Sequence, residues 1–145
     1  MSSSQPVTIE EIVDDFEALG DWEARCDYLI DLGFDLPDFP EQEKTEENRV
    51  HGCQSNVWMA ADVKGNGQPT IELRAVSDAM IVRGLIAILL AVYSGRTAKE
   101  ILETDIQGLF STLELDRHLS TARRNGLMGM VQRIRGIAYQ AVQQS

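Results

Sequence analysis

The chain has 145 residues, 43% of them hydrophobic and 25% charged, with 2 cysteines and 2 histidines. That length suits one domain with its own core, and so few cysteines and histidines exclude a disulfide framework and leave little for a metal site. A formal net charge of −10 opposes the basic, counterion-releasing surface that nucleic-acid binding needs, and the longest apolar run, Leu85–Tyr93, is far short of the ~20 residues that span a bilayer.

The charge is unevenly spread. Residues 1–50 hold 15 acidic and 3 basic side chains, residues 51–104 hold 5 of each, and residues 105–145 hold 3 acidic and 5 basic. An acidic face steers a protein towards a basic patch on another, and it equally serves solubility. Met1–Pro6 lack the basic, apolar and small-residue blocks of a secretory leader, so a cytoplasmic location is expected. Residues 1–6 are expected to form a disordered end of a single domain covering 1–145.

Thr8 and Glu11 form a T-x-x-E capping box, and Ile9, Ile12, Val13, Phe16 and Leu19 then repeat at helical spacing up to Gly20. Asp21 caps a second predicted helix with Trp22, Cys26, Leu29 and Ile30 along one stripe and Gly33 at its end. Residues 34–49 read as a long connection, broken by Pro37 and Pro40 and carrying Glu41, Glu43, Glu46 and Glu47 as a solvated acidic run. The period then becomes two: Val57, Met59, Ala61 and Val63, a turn over 64–68, and Ile71, Leu73 and Ala75 predict an antiparallel hairpin. Val50–Cys53 are expected to lead into it as extended chain.

Ser77 or Asp78 is the predicted cap of a helix reaching Tyr93 and stopping near Gly95, apolar around most of its circumference and therefore central. Thr97 and Glu100 form a second capping box; a further short helix is expected near 107–113. A long terminal helix from Ser120 carries Leu127, Val131, Ile134, Ala138 and Ala141 on one stripe, with Arg133 and Arg135 off it. The fold class is α+β: a small antiparallel sheet, hairpin plus a leading strand, with helices packed on one face.

Cys26 lies on the apolar stripe of the second helix, where a buried, inert thiol is expected. Cys53 lies in Arg49-Val50-His51-Gly52-Cys53-Gln54-Ser55-Asn56. If that stretch is extended, Arg49, His51 and Cys53 share a side, and two cations beside a thiol favour the nucleophilic thiolate. Gly52 gives the backbone freedom to move the sulfur. Chemistry alone leaves Cys53 open between a functional and an incidental thiol. Zinc is disfavoured, because no paired C-x-x-C or H-x-x-x-H spacing is present, and Gly65-Asn66-Gly67 precedes a strand, so it is no phosphate loop. A Cys53–His118 hydrolase pairing is conceivable, although His118 also reads as a polar residue at the mouth of the last helix. Arg123 and Arg124 sit in the first turn of that helix, against its dipole, and also read simply as exposed arginines. Asp78 reads as a helix cap.

Val50-His51-Gly52-Cys53-Gln54-Ser55-Asn56-Val57-Trp58 resembles the V-x-G-C-Q-S-x-V-W signature of the SufE family of sulfur acceptors. Ser77-Asp78-Ala79-Met80-Ile81-Val82-Arg83-Gly84-Leu85 is similar to that family's S-D-x-x-I-V-x-G-L segment, and residues 118–127, His118 to Leu127, resemble its H-L-x-x-x-R-x-x-G-L. Asp21-Trp22-Glu23 and Leu36-Pro37 also fit, so the resemblance runs from about Val7 to Ala141. It implies a fold shared with IscU-type scaffolds. It further implies a protein that accepts persulfide sulfur on Cys53 from a pyridoxal-phosphate cysteine desulfurase (SufS- or CsdA-like), stimulates that enzyme, and passes sulfur to a SufBCD-like iron–sulfur scaffold. Such a carrier has no cofactor of its own, needs neither nucleic acid nor membrane, and is not a self-sufficient enzyme. Arg123 falls on the family arginine near the acceptor loop and Asp78 on a residue tied to that loop's resting position; Gly52, His51 and Gln54 flank the thiol. A CsdE-like acceptor that routes sulfur elsewhere, for instance to tRNA modification, and a stand-alone thiol enzyme are the alternatives.

Overall fold

Thr8 opens helix α1 (Ile9–Leu19) with both bonds of the expected capping box, and Gly20 ends it at φ 78°. The computed structural model describes residues 7–51, 55–65 and 67–144, so the expected disordered end at 1–6 lies outside the described residues. Asp21 caps α2 (Trp22–Phe34) by accepting the Ala24 N–H at 2.9 Å. Gly33 does not stop this helix; it is buried one residue before the end, because a Cβ there would come within 2.8 Å of the Arg83 Cβ.

The buried face of α2 is rotated from the expected stripe. Arg25, Leu29 and Gly33 are buried, while Trp22, Cys26 and Ile30 are half-buried. Arg25 is the cause: its Nε donates to the Phe16 carbonyl at 2.9 Å and its Nη1 to Glu114 at 2.7 Å, with the guanidinium over the Phe16 ring. A buried cation is tolerated because its charge is paired with the Glu114 carboxylate and its Nε–H has a carbonyl acceptor.

The connection after α2 holds a 3-10 turn at Glu41–Glu43. The acidic run is not uniformly solvated: Glu43 is half-buried and takes Arg74 Nη2 on both carboxylate oxygens at 3.1 Å. With Lys44 over the Trp58 ring, that contact lays the connection on the sheet face opposite the helices.

Strands β1 (Val57–Lys64) and β2 (Thr70–Ser77) form the expected hairpin, in register from Val57↔Ser77 to Lys64↔Thr70. Val57, Met59, Ile71, Leu73 and Ala75 face the core, whereas Val63, near the hairpin tip, is 50% exposed. Among the described residues the third strand is β3 (Arg96–Thr97), paired with β2. The expected leading strand contributes an isolated bridge, Arg49↔Trp58, and a bond from the Val50 N–H to the Val57 carbonyl; its Cys53 end lies outside the described residues.

Helix α3 (Met80–Tyr93) is central as expected, with Leu85, Ile86, Ile88 and Leu89 all fully buried. Neither Ser77 nor Asp78 is its N-cap residue. Ala79 holds that position and the Ser77 hydroxyl accepts its N–H at 3.1 Å. Gly84 lies directly on the Leu29 backbone of α2. The capping box of Thr97 and Glu100 starts α4 (Ala98–Glu103). Next come α5 (Ile106–Thr112) and α6 (Leu115–His118), the latter unexpected, and then α7 (Thr121–Gln144), whose predicted stripe is buried throughout. Among the described residues no helix is long and apolar enough to cross a membrane.

Candidate functional site

Cys53, Gly52 and Gln54 lie outside the described residues, and the site is built from the chain on either side of them. On the N-terminal side, residues 45–49 form two overlapping tight turns, with the Asn48 N–H on the Thr45 carbonyl and the Arg49 N–H on the Glu46 carbonyl. Asn48 also ties this stretch to the Glu43 carbonyl through its side chain. Val50 is buried, and His51 turns outward with its Nε2 2.8 Å from Glu46. Arg49 and His51 are both more exposed than the buried Val50 between them, and the imidazole is engaged by a carboxylate; the Cys53 end of the expected alignment lies outside the described residues.

On the C-terminal side, Asp78 binds Asn56 twice, accepting its backbone N–H at 3.1 Å and its side-chain amide at 2.9 Å. The Asp78 N–H donates back to the Asn56 carbonyl at 3.3 Å. This overturns the cap reading of Asp78: its carboxylate faces the start of β1, not the first turn of α3. Ser55, immediately before Asn56, lines a cavity of about 70 Å³ walled by Val82 and Leu85 of α3 and Leu127 and Met130 of α7, with Arg123 also on its wall. The space is several times the ~10–15 Å³ that admits one water, and its wall mixes polar and apolar surface, with Ser55 and Arg123 beside the side chains of Val82, Leu85, Leu127 and Met130.

Arg123 is exposed on the first turn of α7, where its N–H is capped by the Ser120 hydroxyl at 3.2 Å. Its charge reaches the Cys26 thiol of α2 and favours the thiolate, but burial outweighs it and pushes that thiol above its ordinary range. Cys26 is thus half-buried beside a cation, not sealed in the core as expected. The two neighbouring arginine positions differ in use: Arg124 is spent on the Asp116 carbonyl and the Thr121 hydroxyl. His118 stacks on Trp22 with ring centroids 4.8 Å apart.

Three stretches far apart in sequence thus meet at one place. Ser55 comes from the first motif, Val82 and Leu85 from the second, and Arg123 and Leu127 from the third. Sequence reasoning missed Ser55 as a wall residue. It also missed Gly129 and Arg133 of α7, which touch the 47–51 stretch; being off the apolar stripe was the sole signal Arg133 offered. Among the described residues no cluster of three or more histidine, cysteine, aspartate or glutamate side chains is arranged to hold a metal ion.

The chain is 44% identical over 132 residues to an uncharacterized SufE-like protein of Rhizobium meliloti, covering 90% of this chain and 94% of the relative. It is 46% identical over 129 residues to an uncharacterized SufE-like protein of Rhizobium etli, covering 88% and 87%. The fold matches the solution structure of a hypothetical protein from Thermus thermophilus with a TM-score of 0.73 at 23% identity, over 93% of this chain and 96% of that one. Residues 10–138 match the family model SufE, described as an Fe-S metabolism associated domain. With the motifs gathered around one cavity and the family match spanning most of its length, the chain belongs to the SufE family.

Proposed function

We propose that this chain is a sulfur acceptor and carrier: Cys53 takes sulfur from a persulfide on a pyridoxal-phosphate cysteine desulfurase, raises that enzyme's turnover, and delivers the sulfur for iron–sulfur cluster assembly on a SufBCD-like scaffold. The observation that carries the reading is the convergence of the three motifs on the cavity that Ser55 enters, two residues beyond the thiol. Membership of a family tied to Fe-S metabolism supports it.

The chemistry is thiolate attack on an S–S bond. The Cys53 sulfur attacks the outer sulfur of the desulfurase persulfide, one S–S bond forms as the other breaks, and the desulfurase cysteine leaves as its thiolate. The proton of the persulfide stays with the transferred sulfur or passes to the leaving thiolate. The two cysteines exchange roles, so no outside oxidant or reductant is required. The acceptor uses no cofactor of its own; pyridoxal phosphate belongs to the partner.

Residue roles follow from position. Arg123 supplies a permanent positive charge that stabilises an anionic sulfur brought to the cavity. Asp78 fixes Asn56 and hence the outgoing end of the acceptor loop. Gly52 gives the backbone freedom to present the thiol and withdraw it. Gln54 flanks the thiol within the motif. His51, held by Glu46, marks the incoming end. Held against the aliphatic part of the cavity wall, at Val82, Leu85 and Leu127, a persulfide is kept from the oxidation that destroys exposed sulfur species.

The test is direct. The purified chain is mixed with a cysteine desulfurase and L-cysteine, and added sulfur is located by non-reducing peptide mass spectrometry. One added sulfur on Cys53 is expected, and Cys53→Ser should lose both the loading and the stimulation while keeping its fold. Sulfur on Cys26 instead, or on neither cysteine, overturns the reading.

A further inference from the structure

The geometry points to Arg133 as a positioning residue for sulfur transfer: from α7 it clamps two successive outward-facing carbonyls of the 47–50 strap and so sets where the acceptor loop departs. The inference rests on the sulfur-acceptor reading above and concerns a residue outside all three motifs.

Residues 47–50 lie between β1 and α7, and their backbone groups alternate between the two. Towards β1, the Asn48 carbonyl accepts the Met59 N–H at 2.8 Å and the Val50 N–H donates to Val57 at 2.9 Å. The carbonyls of Glu47 and Arg49 receive Arg133 instead, Nη2 on the first and Nη1 on the second, the latter at 3.2 Å. A guanidinium suits this task because its planar fork offers two donors in fixed relation, where an ammonium acts as a single point. One turn earlier on α7, at i and i+4 and so on the same face, Gly129 lies against the strap: a Cβ there would sit 3.4 Å from the His51 carbonyl oxygen.

The helix that anchors the strap also builds the cavity. Arg123, Leu127 and Met130 line it from α7, so Arg133 references the strap to the same rigid body. Asp78 references the other end of the loop, at Asn56, to the start of α3. Two peptide units reach at most about 7 Å, so the position of His51 bounds the space open to the chain two residues further on. A strap free to shift by an ångström would misplace the nucleophile against a persulfide held by another protein.

The experiment uses the full chain, a cysteine desulfurase and ³⁵S-labelled L-cysteine, and compares wild type, Arg133→Ala, Arg133→Lys and Cys53→Ser. Single-turnover transfer at saturating acceptor is expected to slow on the order of 10-fold or more in Arg133→Ala, the loss that ångström-scale misplacement produces, with an intermediate rate in Arg133→Lys. The half-saturating acceptor concentration and the rate at which iodoacetamide alkylates Cys53 are expected to stay within roughly twofold, because positioning affects the docked step and not the thiol itself. A merely structural role would instead lower transfer in proportion to the folded fraction and raise alkylation. If the alanine chain fails to fold, Arg133→Lys alone decides: a slowed rate at unchanged half-saturation supports the inference. Wild-type transfer in the Arg133 variants, with transfer abolished in Cys53→Ser, overturns the inference and leaves the acceptor reading standing. Full transfer in Cys53→Ser overturns both.

Discussion

Gly84→Ala examines the helix crossing on which the cavity depends. Gly84 of α3 rests on α2 so closely that an added Cβ would fall 2.6 Å from the Leu29 carbonyl carbon and 2.8 Å from its Cβ, and nearer still to its carbonyl oxygen. These are backbone and Cβ atoms that no rotamer change can move, so the helices must part by about 1 Å to restore carbon–carbon contact near 3.5–4 Å. Gaps of that size forfeit about a quarter to a half of each dispersion contact along the crossing, and overpacking costs about 1–3 kcal/mol, occasionally more. Alanine's intrinsic helix preference returns at most about 1 kcal/mol. The net expectation is a loss of about 1 kcal/mol, a fall in urea midpoint of about 0.5 M. Gly136 on α7 is the control: nothing lies within 4 Å of the position an added methyl would take, so Gly136→Ala should gain about 0.5–1 kcal/mol. Val82 and Leu85 flank Gly84 and wall the cavity, so Gly84→Ala should also slow sulfur loading of Cys53. A Gly84→Ala midpoint at or above that of wild type would refute the close-packing argument.

Two further outcomes follow from buried polar groups. Among the described residues the Tyr93 hydroxyl is buried without a hydrogen-bond partner, so Tyr93→Phe should be neutral or stabilising by up to about 1 kcal/mol; a clear fall in thermal midpoint would show that the hydroxyl is satisfied. The hydrogen bond from Arg25 holds the Glu114 carboxyl below its usual range, against burial, with Arg117 adding to the effect. A carboxyl lowered in the folded state stabilises above its unfolded pKa, and that contribution is lost as pH falls through the folded value. Glu114→Gln keeps an acceptor for Arg25 but not the charge, so its unfolding free energy should lie below that of wild type at pH 7. The two curves should converge once pH drops through the acidic range below the ordinary glutamate value; a gap unchanged from neutral to strongly acidic pH would refute the assignment.

Much of the fold was legible in the sequence because local chemistry decides it. Both capping boxes, at Thr8 and Thr97, are four-residue devices whose partners are neighbours, and the hairpin shows its period of two before any tertiary contact exists. The terminal stripe from Leu127 to Ala141 is buried as its spacing requires. The site was legible as three short motifs, but their meeting at one cavity was not.

What the sequence determined by itself is the order of elements, the apolar faces that must be covered, and the single thiol set in a motif of its own. Tertiary structure alone decided that Arg25 is buried, that Asp78 grips Asn56 instead of capping a helix, that the third strand comes from Arg96–Thr97, and that Arg133 reaches back to residues 47 and 49. The reason is physical. Periodicity and capping depend on side chains three or four residues apart, whereas these four outcomes satisfy backbone and charged groups with partners 9 to 89 positions away, and only the packed chain brings such partners together.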